Sequence, residues 1–151
     1  VKMLEFNLPS YTFHIKKEKE NVYIFDKYRS KYVRATPEEM VRQHFCEYLV
    51  QEKHFPKTLL FNECMLHLNN TVKRCDTVVY NTAKEPVMII EYKAPSVNIT
   101  QAVFEQIMRY NSTLCVRYLL VSNGKRHFCC RLDYEKLSYE FIDYIPAFPD
   151  L

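Results

Sequence analysis

Apolar positions recur along this chain at two periods. Val41, Phe45, Tyr48 and Leu49 follow the 3.6-residue period of a helix, with Glu52 on the same side, and the spacing predicts a helix from residue 36 to about residue 51. Its start is written in Thr36-Pro37-Glu38-Glu39: a Thr N-cap, Pro at the first helical position, acids in the first turn, and Glu39 three residues after the Thr to close a capping box. On that wheel Glu38 shares the face of Val41 and Glu39 points away, and Phe55-Pro56 ends the segment. A second helix is predicted over residues 100–111, with Val103, Gln106, Ile107 and Tyr110 on one face and an N-cap at Thr100.

The other period is two. Residues 11–15 and 22–25 are β-branched or aromatic around a charged turn at 16–21, which predicts a hairpin in a leader of short strands covering residues 1–35. Residues 60–68 read as a strand ending at the turn Asn69-Asn70-Thr71, and residues 74–80 and 87–93 as two more strands around the polar turn 81–86. Residues 117–121 and 127–132 form a last hairpin around Ser122-Asn123-Gly124. The order after the leader is helix, three strands, helix, two strands, an α/β arrangement with a mixed central sheet flanked by helices. If Tyr80 pairs with Val87, Asp76 lies opposite Glu91, and alternation puts Glu91 and Lys93 on one face above Ile89 and Val78. A slip of one residue would break that arrangement.

Composition narrows the chemistry. At 151 residues, 48% hydrophobic and 26% charged, the chain is one globular domain's worth of sequence, neither disordered nor fibrous. Gly124 is the only glycine, which excludes glycine-rich nucleotide-binding loops of the Walker and Rossmann types. The longest apolar stretch, residues 86–90, is far short of the roughly 18 to 20 residues that span a bilayer, and residues 1–10 lack a signal-peptide core, so a cytoplasmic protein is expected. Cys46, Cys64, Cys75, Cys115, Cys129 and Cys130 include no Cys-x-x-Cys pair, which predicts reduced and mostly buried thiols, with one of Cys129 and Cys130 buried and the other exposed. His14, His44, His54, His67 and His127 form no nucleophile-base pattern. The net charge of +3 requires no polyanionic partner. Basic residues gather at Lys16, Lys17, Lys19, Lys27, Arg29, Lys31 and Arg34, and the pairs Lys73-Arg74 and Lys125-Arg126 fit phosphate contacts, although a solvated surface gives the same grouping.

Asp76, Glu91 and Lys93 stand at the end of two otherwise apolar strands, Thr77-Val78-Val79 and Met88-Ile89-Ile90. Adjacent carboxylates raise each other's pKa unless a positive charge offsets them. Mg²⁺ accepts one or two carboxylates together with water and substrate phosphate, and a neighbouring lysine can act on the attacking water or on phosphate charge. The reaction this set fits is phosphodiester hydrolysis.

Arg74-Cys75-Asp76-Thr77-Val78-Val79-Tyr80 followed by Ile89-Ile90-Glu91-Tyr92-Lys93-Ala94-Pro95 resembles the catalytic hairpin of the PD-(D/E)XK nuclease superfamily, and more closely the N-terminal domain family of type I restriction enzyme R proteins. Cys75 stands where the superfamily name has Pro. The resemblance spans about residues 36–132 and implies a restriction-endonuclease-like αβββαβ core. It implies that Asp76 and Glu91 bind Mg²⁺, with Mn²⁺ as a substitute, and that Lys93 is catalytic. Gln106-Ile107-Met108-Arg109-Tyr110 is similar to the Gln-x-x-x-Tyr motif of R proteins and RecB-like nucleases, giving Gln106 and Tyr110 a supporting role. The superfamily often adds a Glu from the first helix, here Glu38 by helical face with Glu39 as the alternative, and Glu63 as a weaker candidate. The expectation is a leader, 1–35, packed on a nuclease-like domain, 36–151, that acts as an Mg²⁺-dependent DNA endonuclease of restriction type without an ATPase motor of its own. Its expected partners are DNA, motor or specificity subunits, and a second copy of itself, with no membrane. Lys73, Arg74, Lys125 and Arg126 are the candidate DNA contacts. The alternative is a catalytically silent nucleic-acid-binding or assembly module on the same fold.

Overall fold

The computed structural model describes residues 6–136 and 138–151; residues 1–5 of the expected leader lie outside it. Three short strands come first, β1 (Ile15–Glu18), β2 (Asn21–Asp26) and β3 (Lys31–Arg34), in an antiparallel sheet of order β1-β2-β3. The hairpin turn is tighter than the charge pattern predicts. Lys16 and Lys17 are strand residues paired with Tyr23 and Val22, and the reversal is at Lys19, in the left-handed region at φ 56°. β3 escapes the pattern reading because its four residues are exposed or half-buried and carry no apolar alternation.

Helix α1 (Pro37–Glu52) begins with the predicted N-cap, Thr36 Oγ1 accepting from the Glu39 N–H at 3.1 Å, but the expected capping box is not closed. The side chain of Glu39 makes ion pairs with Arg29 and Arg42. Val41, Phe45 and Leu49 are fully buried, yet Glu39, Arg42, Gln43 and Glu47 are buried as well, whereas Glu38 and Glu52 are exposed. The predicted faces of Glu38 and Glu39 are therefore exchanged in burial. Residues 26–29 supply the cause. Tyr28 Oη donates to Glu47 at 3.1 Å, Lys27 pairs with Glu47 at 2.7 Å, and Arg29 pairs with Glu39, so α1 is covered on flanks that the sheet does not reach.

A six-stranded sheet follows, in the order β4 (Leu60–Leu68), β5 (Thr71–Tyr80), β6 (Pro86–Tyr92), β7 (Tyr118–Ser122), β8 (His127–Asp133) and β9 (Ser138–Ile142). All neighbours are antiparallel except β6 and β7, which the crossover helix α2 (Gln101–Asn111) makes parallel. Two cores lie on opposite faces. On one, Val41, Phe45, Cys46 and Leu49 of α1 meet Val79, Met88, Ile90, Tyr92 and Leu120; on the other, Phe104 of α2 meets Val78, Ile89, Leu119, Val121 and Cys130. Burial from both sides explains the continuous apolar runs of β6 and β7. It also explains why Cys129 and Cys130 are both buried, one in each core, where one exposed thiol was expected. β9, missed by the pattern reading, pairs with β8 and carries exposed Tyr139 and Phe141.

The face of α2 differs from the expected one. Phe104 and Asn111 are its buried residues, with Ile107 and Met108 packed partly beneath it, and Gln106 and Tyr110 are exposed. Among the described residues no helix is long and apolar enough to cross a membrane.

Candidate active site

The strand register brings the central residues together. The paired ladder runs to Thr77–Ile90, and just beyond it Asp76 comes beside the end of β6, where it accepts from the Tyr92 N–H and its charge acts on Glu91. The turn end differs from expectation: Tyr80 pairs with Pro86, not Val87, through a register shift after Val79 that leaves the site end unchanged. Alternation from Ile89, which lies in the α2-side core, puts Glu91 and Lys93 on that side, while Tyr92 points into the α1-side core.

Asp76 owes its position to a break in its own strand. Thr77 faces the α1 side, where its Oγ1 donates to Asn62 at 2.6 Å and lies 2.9 Å from Tyr92 Oη. Cys75, two residues away, belongs to the α2-side core, so strict alternation fails between them. The same happens on β4 between Asn62 and Cys64, which pair with Thr77 and Cys75. Glu63 and Asp76 occupy the gap between those pairs, and Glu63 takes φ 53°. A left-handed non-glycine residue costs about 1 to 2 kcal/mol, so the irregularity is maintained against a backbone preference.

Asp76 is held on two sides. Its Oδ2 accepts from the Tyr92 N–H at 2.9 Å, and its Oδ1 lies 3.8 Å from Arg42 Nη2. Burial pushes the Glu91 carboxyl up to about 9, and the charge of Asp76 and a hydrogen bond shared with it act in the same direction; Asn111 and Lys93 pull the other way. Burial and Asp76 together thus favour the protonated form of Glu91. Its Oε1 is buried and accepts no hydrogen bond, which is the orphaned atom that a cation would satisfy. Glu38 is raised from its ordinary value first by partial burial and then by Asp76, with Arg42 and Lys93 opposing, so its carboxyl belongs to the same electrostatic neighbourhood. Glu39 is engaged elsewhere, with Arg29 and Arg42.

Three site residues were not singled out from sequence. Arg42, only 4% exposed, reaches Glu39 Oε2 at 3.1 Å and Glu63 Oε1 at 2.6 Å, and lies 5.7 Å from the centre of the Tyr92 ring. Tyr92 itself, 1% exposed, anchors β6 through Thr77 and through Cys46 Sγ at 3.6 Å. Asn111 is the α2 residue whose amide sits beside Glu91. Arg42 is the one Lys or Arg between Pro37 and Glu52, but nothing local in the sequence marks it, Tyr92 or Asn111 as part of a site.

The remaining candidates are spread around this centre. Tyr110 is 47% exposed and stacks under Lys73, whose Nζ is 4.2 Å from the ring centre; Gln106 is exposed one turn earlier. Arg74 donates to Glu63 Oε2 at 2.8 Å. Lys125 and Arg126 are exposed in the turn after β7, which adjoins the site because the Lys93 N–H donates to Ser122 O at 2.9 Å. A cleft of about 540 Å³ opens beside that turn, with Lys53, Lys125, Arg126 and Tyr144 in its lining. Among the described residues no group of three or more His, Cys, Asp or Glu side chains is arranged to hold a metal ion by itself.

These features define a mixed α/β domain with a carboxylate pair and a lysine at the edge of its parallel strand pair. The family model of the type I restriction enzyme R protein N terminus (HSDR_N) matches residues 37–146, and the chain belongs to that family. No curated protein matches it. A solved structure, the fragment of an HsdR subunit of a type I restriction enzyme from Vibrio vulnificus YJ016, is similar at 16% identity with a TM-score of 0.49, over 68% of this chain and 22% of that one. The chain thus spans less than a quarter of the length of that relative.

Proposed function

We propose that this domain is a metal-dependent DNA endonuclease of the restriction type, with a PD-(D/E)XK core in which Asp76 and Glu91 hold Mg²⁺ and Lys93 is catalytic. The observation that carries the reading is the carboxylate pair itself: Asp76 beside Glu91, with a buried Glu91 oxygen that no protein donor satisfies. Two carboxylates suit Mg²⁺ or Mn²⁺, which complete their coordination with water and phosphate. Bound there, the ion supplies a polarised phosphate and a more acidic water. The chain's own residues do the rest. The Tyr92 N–H fixes the rotamer of Asp76, Asn111 orients Glu91, and the Lys93 ammonium orients the attacking water or takes up charge that develops on the phosphate. Glu38 adds negative charge from α1, and Tyr110 with Lys73, Gln106, Arg74 and the Lys125-Arg126 turn offers contacts for the DNA backbone. Residues 1–35 belong to the same working unit as 36–151. In this reading the domain acts in the cytoplasm with motor or specificity subunits, and a second copy supplies the site for the other strand.

One observation favours a second reading, the silent binding or assembly module. Burial and Asp76 push the Glu91 carboxyl toward its neutral form and Arg42 stands near Asp76, which eases the site electrostatically without a metal. Fluorescently labelled duplex and single-stranded DNA separate the two. The nuclease reading expects binding in EDTA or Ca²⁺ and cleavage only with Mg²⁺ or Mn²⁺, lost in Lys93→Ala while affinity is retained. The module reading expects salt-sensitive binding and no cleavage under any metal.

A further inference from the structure

Glu63 has no part in the catalysis described above, yet it is the residue directly across the irregularity from Asp76. Both its oxygens are engaged by arginines: Oε1 accepts from Arg42 Nη2 at 2.6 Å and Oε2 from Arg74 Nε at 2.8 Å. Partial burial alone would raise its pKa, but the hydrogen bonds from Arg42 and Arg74 outweigh it, so Glu63 is held ionised. The same Nη2 of Arg42 is 3.8 Å from Asp76 Oδ1, beyond hydrogen-bond reach. Two acids face one guanidinium nitrogen, and Glu63 has it.

We propose that Glu63 is a positioning residue that draws the Arg42 guanidinium away from Asp76 and so leaves the Asp76 carboxylate free to take a divalent cation. This rests on the reading of Asp76 and Glu91 as the metal-binding pair. Arg42 is nearly inaccessible to water, so an Nη2 deprived of Glu63 must find another acceptor inside the protein. Asp76 Oδ1 already faces it, and a shift of about 1 Å closes the gap to a charge-assisted hydrogen bond. Asp76 would then be tied in an internal ion pair and a cation would have to displace an arginine. The left-handed backbone of Glu63 fits this role, since it aims the side chain out of the ladder toward Arg42 and Arg74. Arg42 keeps Glu39 as its second partner and the Tyr92 ring beneath it, so the loss of Glu63 redirects the guanidinium without releasing it.

Mn²⁺ binding to the intact protein, read by the electron paramagnetic resonance signal of free Mn²⁺, tests this without relying on cleavage. Wild type, Glu63→Gln, Glu63→Asp and Asp76→Asn are compared, with thermal melts to verify folding. Glu63→Gln is expected to weaken Mn²⁺ at least tenfold. Glu63→Asp keeps the charge but falls one methylene short of Arg42, and is expected to weaken Mn²⁺ several-fold. Unchanged affinity in both variants overturns the proposal. Weakening in Glu63→Gln with none in Glu63→Asp also overturns it, because bare charge then suffices. If wild type binds no Mn²⁺, or Asp76→Asn binds it equally well, the metal-site reading fails and this inference falls with it.

Discussion

Glu91 is the residue at which burial and the proposed metal-binding role pull hardest against each other. Its carboxyl is pushed from an ordinary 4.5 up to about 9, so the native chain holds a proton that the unfolded chain has released over the interval between. Stability contributed by the group is therefore full below about pH 4.5 and declines as pH rises toward 9. Glu91→Gln preserves the shape and the neutral form. In EDTA its Tm should exceed that of wild type by several degrees at pH 8, with the gap closing near pH 5; a gap independent of pH would contradict the assigned burial. That Asp76, Glu91 and Lys93 come near one another was legible from the spacing of the two strands, because the shift at Tyr80 and Pro86 leaves the Thr77–Ile90 register as expected; the break in alternation at Asp76 was not. Arg42 and Asn111 were not, since nothing local marks a buried arginine whose partners lie 21 and 34 residues away, at Glu63 and Asp76. The roles of Glu38 and Glu39 were hard to separate for a similar reason: the wheel reports the face toward the sheet, and Glu39 is buried by Arg29 from the leader.

At the scale of elements, caps and turns carried more information than burial faces. Thr36 and Thr100 accept from the N–H three residues on, as their positions predict. The hairpin reversal at Asn69 and Asn70 has φ 51° and 60°, the left-handed pair that tight two-residue turns require and that Asn tolerates. By contrast β3 and β9 lie at sheet edges with exposed side chains, where alternation has no core to record. The slip at Glu63 and Asp76 was invisible because no glycine marks it. The lone glycine marks a different place. Gly124 sits at φ 86° in the turn that leads to Lys125 and Arg126, and a Cβ there would lie 2.5 Å from the Phe6 ring and 3.2 Å from Val41. Gly124→Ala should cost about 2 kcal/mol or more, lowering Tm by roughly 4 to 8 °C. A melt within 1 °C or so of wild type would show that the turn relaxes without that contact.

Across the whole molecule, a chain of opposite charges runs from the leader to the site: Asp26 to Arg29, Arg29 to Glu39, Glu39 to Arg42, and Arg42 to Glu63 and Asp76. Asp26 is fully buried, although residues 1–36 precede the family-matched region. Arg29→Met leaves buried Asp26 without its cation and Glu39 with Arg42 alone, and should destabilise the protein by about 2 to 4 kcal/mol. A variant that melts like wild type would separate the leader from the domain. Metal-dependent cutting at the end of β6, as proposed above, is tested with supercoiled plasmid incubated with the purified protein in Mg²⁺, Mn²⁺ or EDTA, beside Asp76→Asn and Lys93→Ala. Nicking or linearisation that requires the metal and disappears in both variants is expected; cutting that persists in both variants, or in EDTA, would contradict the nuclease reading.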